Sequence, residues 1–509
     1  MSVTRRDFSM GLAAGLGTSG AGGAAGRQPN IVFICSDQHS GRFLGCNGSQ
    51  IARTPNLDRI ASMGVNFRNT YSGNPVCVPG RACMMSGMYA SDVNSYCNST
   101  PLAGSEPTWG NYLRDAGYHA WATGKLDLTL GADIGFEQTK TTHGHSQHPD
   151  ITSLFRSPVC FRSGERKNVN GQFTERADPD AALAKSAIRF IRERGGQKPW
   201  AVYVGMHMPH PKWVAEKKYL DIYPPEKMPL PEIPAGYLEK RHTMFQVMAN
   251  FKNLQVPIPE ERIRRARAAY FGMVSEVDEY VGWVLDEVEK SGQLDNTLFI
   301  YTSDHGEMLG DHGLWLKNVL LENAARVPLV MAGAGLPKGK TVETPVSHVD
   351  LVATLVEVSG AKPKRKLRGN SLIGLANGNP SSHRGFAYSE SHSEGNCTGS
   401  FLIRNGDWKY LYFTGDDPLL FNLKDDPGEF LNLAGKKETA AIQKELHGLL
   451  KSQVDPDAVT ERAFAEQERV LKARVARMKP GEFYEDLEGR LGSAQAKVLT
   501  MRYYRGERG

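Results

Sequence analysis

Short runs of β-branched and aromatic residues alternate along the chain with longer stretches whose apolar positions fall three and four apart. Runs at 30–35, 119–123, 200–205, 297–302 and 327–331 have the length and composition of strands. Between the third and the fourth, Val274, Val277, Val281, Val284 and Val288 line one face of a helical cylinder, and Gly292 is placed to end it. That stripe is core packing and carries no chemistry. Strands alternating with helices predict an α/β fold, with a large, mostly parallel central sheet flanked by helices.

Two segments interrupt the alternation. Residues 131–170 and 212–259 are rich in Pro, Gly, His and charge, lack clear periodicity and read as long loops. Such insertions in an α/β enzyme build a substrate pocket about as often as they are plain surface excursions. Beyond about residue 381 the pattern changes to short strands at 401–404, 408–413 and 419–422, with a turn at Asp425-Asp426-Pro427-Gly428. The expected division is therefore a sheet domain over 27–380, a smaller C-terminal α+β subdomain over 381–455, and a helical extension over 456–509. Residues 436–479 are charged and helical in pattern, without a sustained heptad.

Composition narrows the partners. The 509 residues, 40% hydrophobic and 23% charged, suit one large domain with a small companion. With 61 Lys and Arg against 56 Asp and Glu there is no electrostatic case for nucleic acid. No apolar run approaches the roughly 20 residues of a membrane-spanning helix, so stable membrane insertion is not expected. Thr4-Arg5-Arg6-Asp7-Phe8, a Gly/Ala-rich stretch and then Gly23-Ala24-Ala25 read as a twin-arginine export signal over 1–26. The mature protein is then periplasmic or extracellular, with the twin-arginine translocation machinery as a partner; a Gly/Ala tail with a chance Arg pair is the plainer alternative. Seven cysteines (35, 46, 77, 83, 97, 160 and 397) form no closely spaced metal pairs, and their odd number leaves at least one thiol over, with Cys77 the candidate. A chain that folds in the reducing cytosol before export is expected to hold few or no disulfides.

Candidate chemistry collects at strand ends. Asp37, Lys125, His207 with His210, and Asp304 with His305 each follow a predicted strand, and open α/β sheets bind ligands outside the carboxyl ends of their strands. Singly, each has a dull reading: a helix cap, a solvated lysine, a satisfied loop histidine. A fifth element is Cys77-Val78-Pro79-Gly80-Arg81, followed by a helix-like stretch from Ala82 to Gly87. Cysteine at a helix start beside arginine suits a thiolate or an anion. Together the residues describe an anion pocket with a carboxylate/His metal centre and cations at Arg81, Lys125 and Lys317.

Along nearly the whole mature chain the sequence resembles the formylglycine sulfatases of the alkaline phosphatase superfamily. The resemblance rests on Asn30-Ile31-Val32 through Asp37-Gln38-His39, Thr54-Pro55-Asn56-Leu57-Asp58, the Cys77–Arg81 motif, Gly124-Lys125, Pro209-His210-Pro211, Ser303-Asp304-His305-Gly306-Glu307, Lys317, Arg326-Val327-Pro328, and Leu420-Phe421-Asn422-Leu423 through Asp426-Pro427. Gly124-Lys125-Leu126-Asp127 and the 389–397 segment look most like the arylsulfatase K branch, whose activity removes 2-sulfate from glucuronate units. The resemblance implies an alkaline-phosphatase-like fold and hydrolysis of a sulfate monoester on a sulfated saccharide. It also implies conversion of Cys77 to formylglycine by a formylglycine-generating maturation enzyme, whose hydrate attacks sulfur and then expels sulfate. One divalent metal, Ca2+ first and Mn2+ or Mg2+ as alternatives, would be held by Asp37, Asp304, His305 and residue 77. Arg81 would orient the hydrate, Lys125 and Lys317 would oppose the sulfate oxygens, and His210 would protonate the leaving alkoxide.

Departures from the family pattern bear on that reading. Gln38 stands where a second Asp is usual, so it offers the metal at most an amide oxygen. His305 stands where many members carry Asn, which makes Mn2+ more plausible. Asp127, taken here as substrate-binding, replaces a common His and leaves open which group accepts the hydrate proton. Gly80 replaces Ser or Ala, with little expected effect on packing. Two rivals stay open: a phosphonate monoester or phosphodiester hydrolase, and a catalytically silent glycan-binding relative.

Overall fold

The computed structural model describes residues 28–129, 131–138, 150–156, 160–162, 164–175, 178–194 and 198–504. The expected export signal lies outside them. Eight strands form the main sheet in the order Lys340–Val342, Gly64–Phe67, Leu329–Ala332, Thr297–Ser303, Asn30–Ser36, Trp200–Gly205, His119–Gly124 and Glu137–Gln138. Asn30–Ser36 lies at the centre, parallel to both neighbours, and His119–Gly124 extends the parallel run. Central parallel strands are covered on both faces, so alternate residues enter two cores. Val32, Ile34, Val202 and Tyr301 join the helical valines 274, 277, 281, 284 and 288 on one side. Ile31, Phe33, Tyr203 and Ile300 join Trp109 and Met84 on the other.

The valine stripe lies on one helix, Glu260–Lys290, capped by Ser291 and followed by Gly292 at φ +67°. The run expected as one strand at 327–331 is split instead. Pro328 has no N–H to give a ladder, so Arg326–Val327 pairs with Thr70–Tyr71 in a small second sheet while Leu329–Ala332 enters the main sheet antiparallel. The segment expected as loop at 212–259 contains the helix Thr243–Phe251, whose Met244, Phe245, Met248 and Phe251 are buried.

The smaller part is an antiparallel sheet of Phe386–Ser391, Ser400–Asn405, Trp408–Phe413 and Asp416–Asn422, with Leu446 and Leu450 of the helix Ala440–Gln453 against Phe401 and Ile403. Helices Pro456–Val475, Pro480–Leu491 and Ser493–Tyr504 follow, and Leu471, Phe483 and Leu487 close over Ile151 and Leu154. All seven cysteines are unpaired.

Burial holds the imidazoles of His312 and His348 neutral, moving each down from 6.5 to about 4. A histidine depressed in the fold contributes stability above its unfolded value and loses it as pH falls toward the folded value, at about 3 kcal/mol per residue over this window. Urea unfolding should therefore show stability dropping between pH 6.5 and 4, less steeply in His312→Gln. An unchanged pH slope in that variant would refute the assignment.

Candidate active site

The carboxyl ends of three parallel strands deliver the first residues. Asp37 follows Asn30–Ser36, Asp304 follows Thr297–Ser303, and Lys125 follows His119–Gly124. Backbone bonds pin them: Asp37 N–H to Met208 O at 3.1 Å, Asp304 N–H to Ser36 O at 3.3 Å, Lys125 N–H to Gly205 O at 2.7 Å. Gly124 makes the last possible, since it stands at φ +81° and a Cβ there would lie 2.1 Å from Gly205 O.

Cys77 opens the helix Cys77–Ser86, five residues earlier than the stretch expected to be helical. Pro79 does not delay the start, because first-turn N–H groups have no intrahelical acceptor to lose. Contrary to expectation, residue 80 has no room for a side chain: a Cβ would meet Asn74 O at 2.7 Å and Asp304 O at 3.0 Å. The helix N-terminus is thus pressed directly on the strand end carrying Asp304.

Asp37, Cys77, Asp304 and His305 are buried and offer ligand atoms that all lie within 4.8 Å of one another. Cys77 Sγ is 3.1 Å from Lys317 Nζ and 3.2 Å from His305 Nε2. Lys125 Nζ bonds Asp37 Oδ2 and lies 3.2 Å from Asp127 Oδ2. Arg81, fully buried, donates from Nε to Asp304 Oδ2 at 2.9 Å and from Nη1 to Tyr203 Oη at 2.8 Å and Lys125 O at 2.7 Å. Burial and Asp37 push the Cys77 thiol upward, but Lys125, Lys317 and His305 outweigh them and hold it well below the ordinary thiol range. Cys35, Cys46 and Cys160 show the opposite, with burial raising each to about 12. Burial also disfavours charge on Asp37, yet Lys125, His210, Lys317 and His305 keep its carboxyl well below the carboxylate range. Asp304 is raised by burial and by Asp37.

The remaining predicted residues sort themselves around this centre. Gln38, at φ +76°, accepts at its amide oxygen from Lys317 Nζ at 2.9 Å and donates from Nε2 to Glu307. Asp127, at φ +54°, is buried beside Arg81 and Lys125. His210 is half-buried, and because a carbonyl only accepts, its 2.7 Å contact to Pro211 O fixes the proton on Nδ1 and leaves Nε2 for other work. His207 is drawn off to Asp180, whose carboxylate also takes the N–H groups of 207 and 208.

Two supports were not singled out from the sequence. Glu307 accepts from the N–H groups of Leu309 and Leu316, and Lys252 donates to Trp315 O and Lys317 O, so both ends of the loop bearing Lys317 are clamped. Glu307 sits in the Asp304-His305-Gly306-Glu307 run and could have been picked out there; Lys252 has no sequence signal.

The donor set fits a divalent cation: two carboxylates and an imidazole whose Nδ1, held at 2.9 Å from Gly306 O, turns the Nε2 lone pair toward the cluster. Cations stand behind the same groups, so the site can polarise an ester oxygen on one side and neutralise a tetrahedral oxyanion on the other.

The Sulfatase family model matches residues 29–361, and the model for the C-terminal part of N-sulphoglucosamine sulphohydrolase matches 310–455. The chain is 32% identical over 431 residues to a choline-sulfatase of Rhizobium meliloti, covering 80% of this chain and 82% of that protein. It is 28% identical over 464 residues to arylsulfatase K of Danio rerio, covering 85% of each. The fold superposes on a phosphonate monoester hydrolase of Agrobacterium radiobacter with a TM-score of 0.69 and 26% identity, over 83% of this chain and 95% of that one. With the first model spanning well over half of the chain, the protein belongs to the sulfatase family and is a sulfuric ester hydrolase.

Proposed function

We propose that the enzyme hydrolyses a sulfate monoester on a saccharide, using formylglycine made from Cys77 by a maturation enzyme and one divalent metal held by Asp37, Asp304, His305 and residue 77. The observation that carries this reading is the Cys77 sulfur, seated at a helix start between Lys317 Nζ and His305 Nε2. In the mature residue, hydrate oxygens would stand where that sulfur stands. The hydrated aldehyde supplies one hydroxyl to attack the ester sulfur and another to expel sulfate, and the metal supplies Lewis acidity.

The chain's own residues do the rest. Arg81 holds Asp304 and the carbonyl of Lys125, fixing the strand ends relative to the helix that carries residue 77. Lys125, between Asp37 and Asp127, and Lys317, steadied by Gln38, oppose the negative oxygens of the substrate sulfate. His210, with Nδ1 protonated, delivers a proton from Nε2 to the leaving alkoxide. Metal identity follows the donor set: two carboxylates suit Ca2+, with Mg2+ as an alternative, and the His305 nitrogen favours Mn2+.

Within sulfated saccharides the narrower reading is a 2-sulfated uronate, supported by the likeness to arylsulfatase K. The likeness to choline-sulfatase favours a small cationic sulfate ester as the second reading. Co-expression with a formylglycine-generating enzyme, peptide mass at position 77 and sulfate release from both ester types test the proposal. Turnover of 2-sulfated uronate is expected, whereas choline sulfate alone being turned over would replace the saccharide reading. Export by the twin-arginine route predicts that Arg5→Lys with Arg6→Lys retains the protein in the cytoplasm; unchanged export would exclude that route.

A further inference from the structure

A second concentration of charge lies where the C-terminal sheet meets the sheet domain. A cavity of about 790 Å3 opens there, lined by Arg42, Arg68 and Arg326 on one side and by Arg404 and Lys424 on the other. None of the catalytic cluster lines it. The distance follows from the strand register. Ser391 pairs with Ser400 at the end near the active site, where Ser393 Oγ takes a hydrogen bond from Asn318, the neighbour of Lys317. Arg404 is four residues further along that strand, roughly 14 Å at 3.4 Å per residue.

Three carboxylates share the cavity wall, Glu322, Glu343 and Asp407, and two are already committed. Glu322 accepts from Tyr71 Oη at 2.8 Å and Lys409 Nζ at 3.0 Å, with Arg326 Nε at 3.5 Å. Glu343 pairs with Arg68 at 2.9 Å. Lys409, directly across the ladder from Arg404, is taken up by Glu322 and Glu429. Arg404 itself is only 5% exposed, yet its Nε and Nη1 have no hydrogen-bond partner among the described residues. Nε of Arg68 and of Arg326 also make no hydrogen bond among the described residues, although Arg326 Nε faces Glu322 and Arg68 pairs with Glu343 through Nη1. The two Arg404 nitrogens are sealed from solvent, and the Arg404 charge, set beside Glu322, forms part of the cavity wall. The adjoining cavity has the size of a ligand site, and cationic side chains from separate segments of chain line it, which suits an oxyanion.

We propose that this cavity binds a sulfate-type oxyanion, with Arg404 as the buried anchor and Arg68, Arg326 and Lys424 around it. The anion is either inorganic sulfate, the product of the enzyme's own reaction, or a sulfate group on a separate acidic saccharide. The assignment does not depend on the maturation of Cys77.

Calorimetric titration of the full chain with inorganic sulfate, and separately with a sulfated uronate-containing oligosaccharide, tests it. Comparison with wild type isolates the signal of this cavity, because Arg404 and Lys424 line it and none of the catalytic cluster does. Arg404→Gln is expected to weaken binding about tenfold, the loss of one charge-assisted hydrogen bond. Lys424→Gln, on an exposed turn where folding is not at stake, is expected to weaken it about threefold by the same reasoning. In otherwise wild-type enzyme both substitutions leave turnover of a small aryl sulfate unchanged. Arg404-dependent binding of the oligosaccharide about tenfold tighter than inorganic sulfate assigns the site to saccharide, and equal affinities assign it to the free ion. Binding of both probes that neither substitution alters overturns the proposal, and if Arg404→Gln does not fold, an unaltered Lys424→Gln overturns it alone.

Discussion

Cys77→Ala, expressed with a formylglycine-generating enzyme, is expected to lose roughly 10^4-fold or more in kcat on an aryl sulfate, the scale seen when a nucleophile is removed from a unit that acts together. The fold should survive. Residue 77 is buried in the first turn of its helix, where alanine is a good helix former, and the substitution removes only a sulfur. The variant takes away the atom on which Lys317 and His305 converge while leaving Lys125 on Asp37 and Arg81 on Asp304. Substrate binding should therefore change much less than kcat. Full activity in Cys77→Ala would place the nucleophile elsewhere and dismantle the proposed mechanism.

Lys317→Ala should cost about 10^2 to 10^3 in kcat, the range for removing one preorganised donor from a site that excludes water. Its ammonium is buried and bonded to Cys77 Sγ and to the Gln38 amide oxygen, so its removal takes a donor from both at the centre of the site. Gln38 would lose one partner and keep Glu307. Single-turnover kinetics would locate the loss in the chemical step; a rise in KM with unchanged kcat would mean that Lys317 binds substrate and transition state alike.

The parallel centre of the fold was legible because strands covered on both faces are continuous apolar runs, and the valine stripe was legible because it keeps the helical period over five residues. Function could be read at the strand ends for the same reason: topology, more than local sequence, gathers Asp37, Lys125 and Asp304. What escaped has identifiable causes. Leu329–Ala332 reads like its neighbours, and only pairing partners decide that it runs antiparallel. Gly64–Phe67 and Lys340–Val342 are too short to show a period. Thr243–Phe251 does carry apolar positions at 244, 245, 248 and 251, a helical spacing submerged in a polar, proline-rich surround. Lys252 acts through backbone carbonyls, which no sequence pattern announces. Gly80 shows the reverse error: the family pattern allows a small side chain there, and only the approach of Asn74 and Asp304 shows that this chain has no space for it.

The fold likeness to a phosphonate monoester hydrolase makes the choice between sulfur and phosphorus the central question. The decisive measurement is kcat/KM on matched aryl sulfate and aryl phosphonate monoesters, with protein shown by mass to carry formylglycine at position 77. The account predicts a preference for the sulfate by more than about tenfold, about 1.4 kcal/mol in barrier, abolished in Cys77→Ala. A preference of that size for the phosphonate would contradict it.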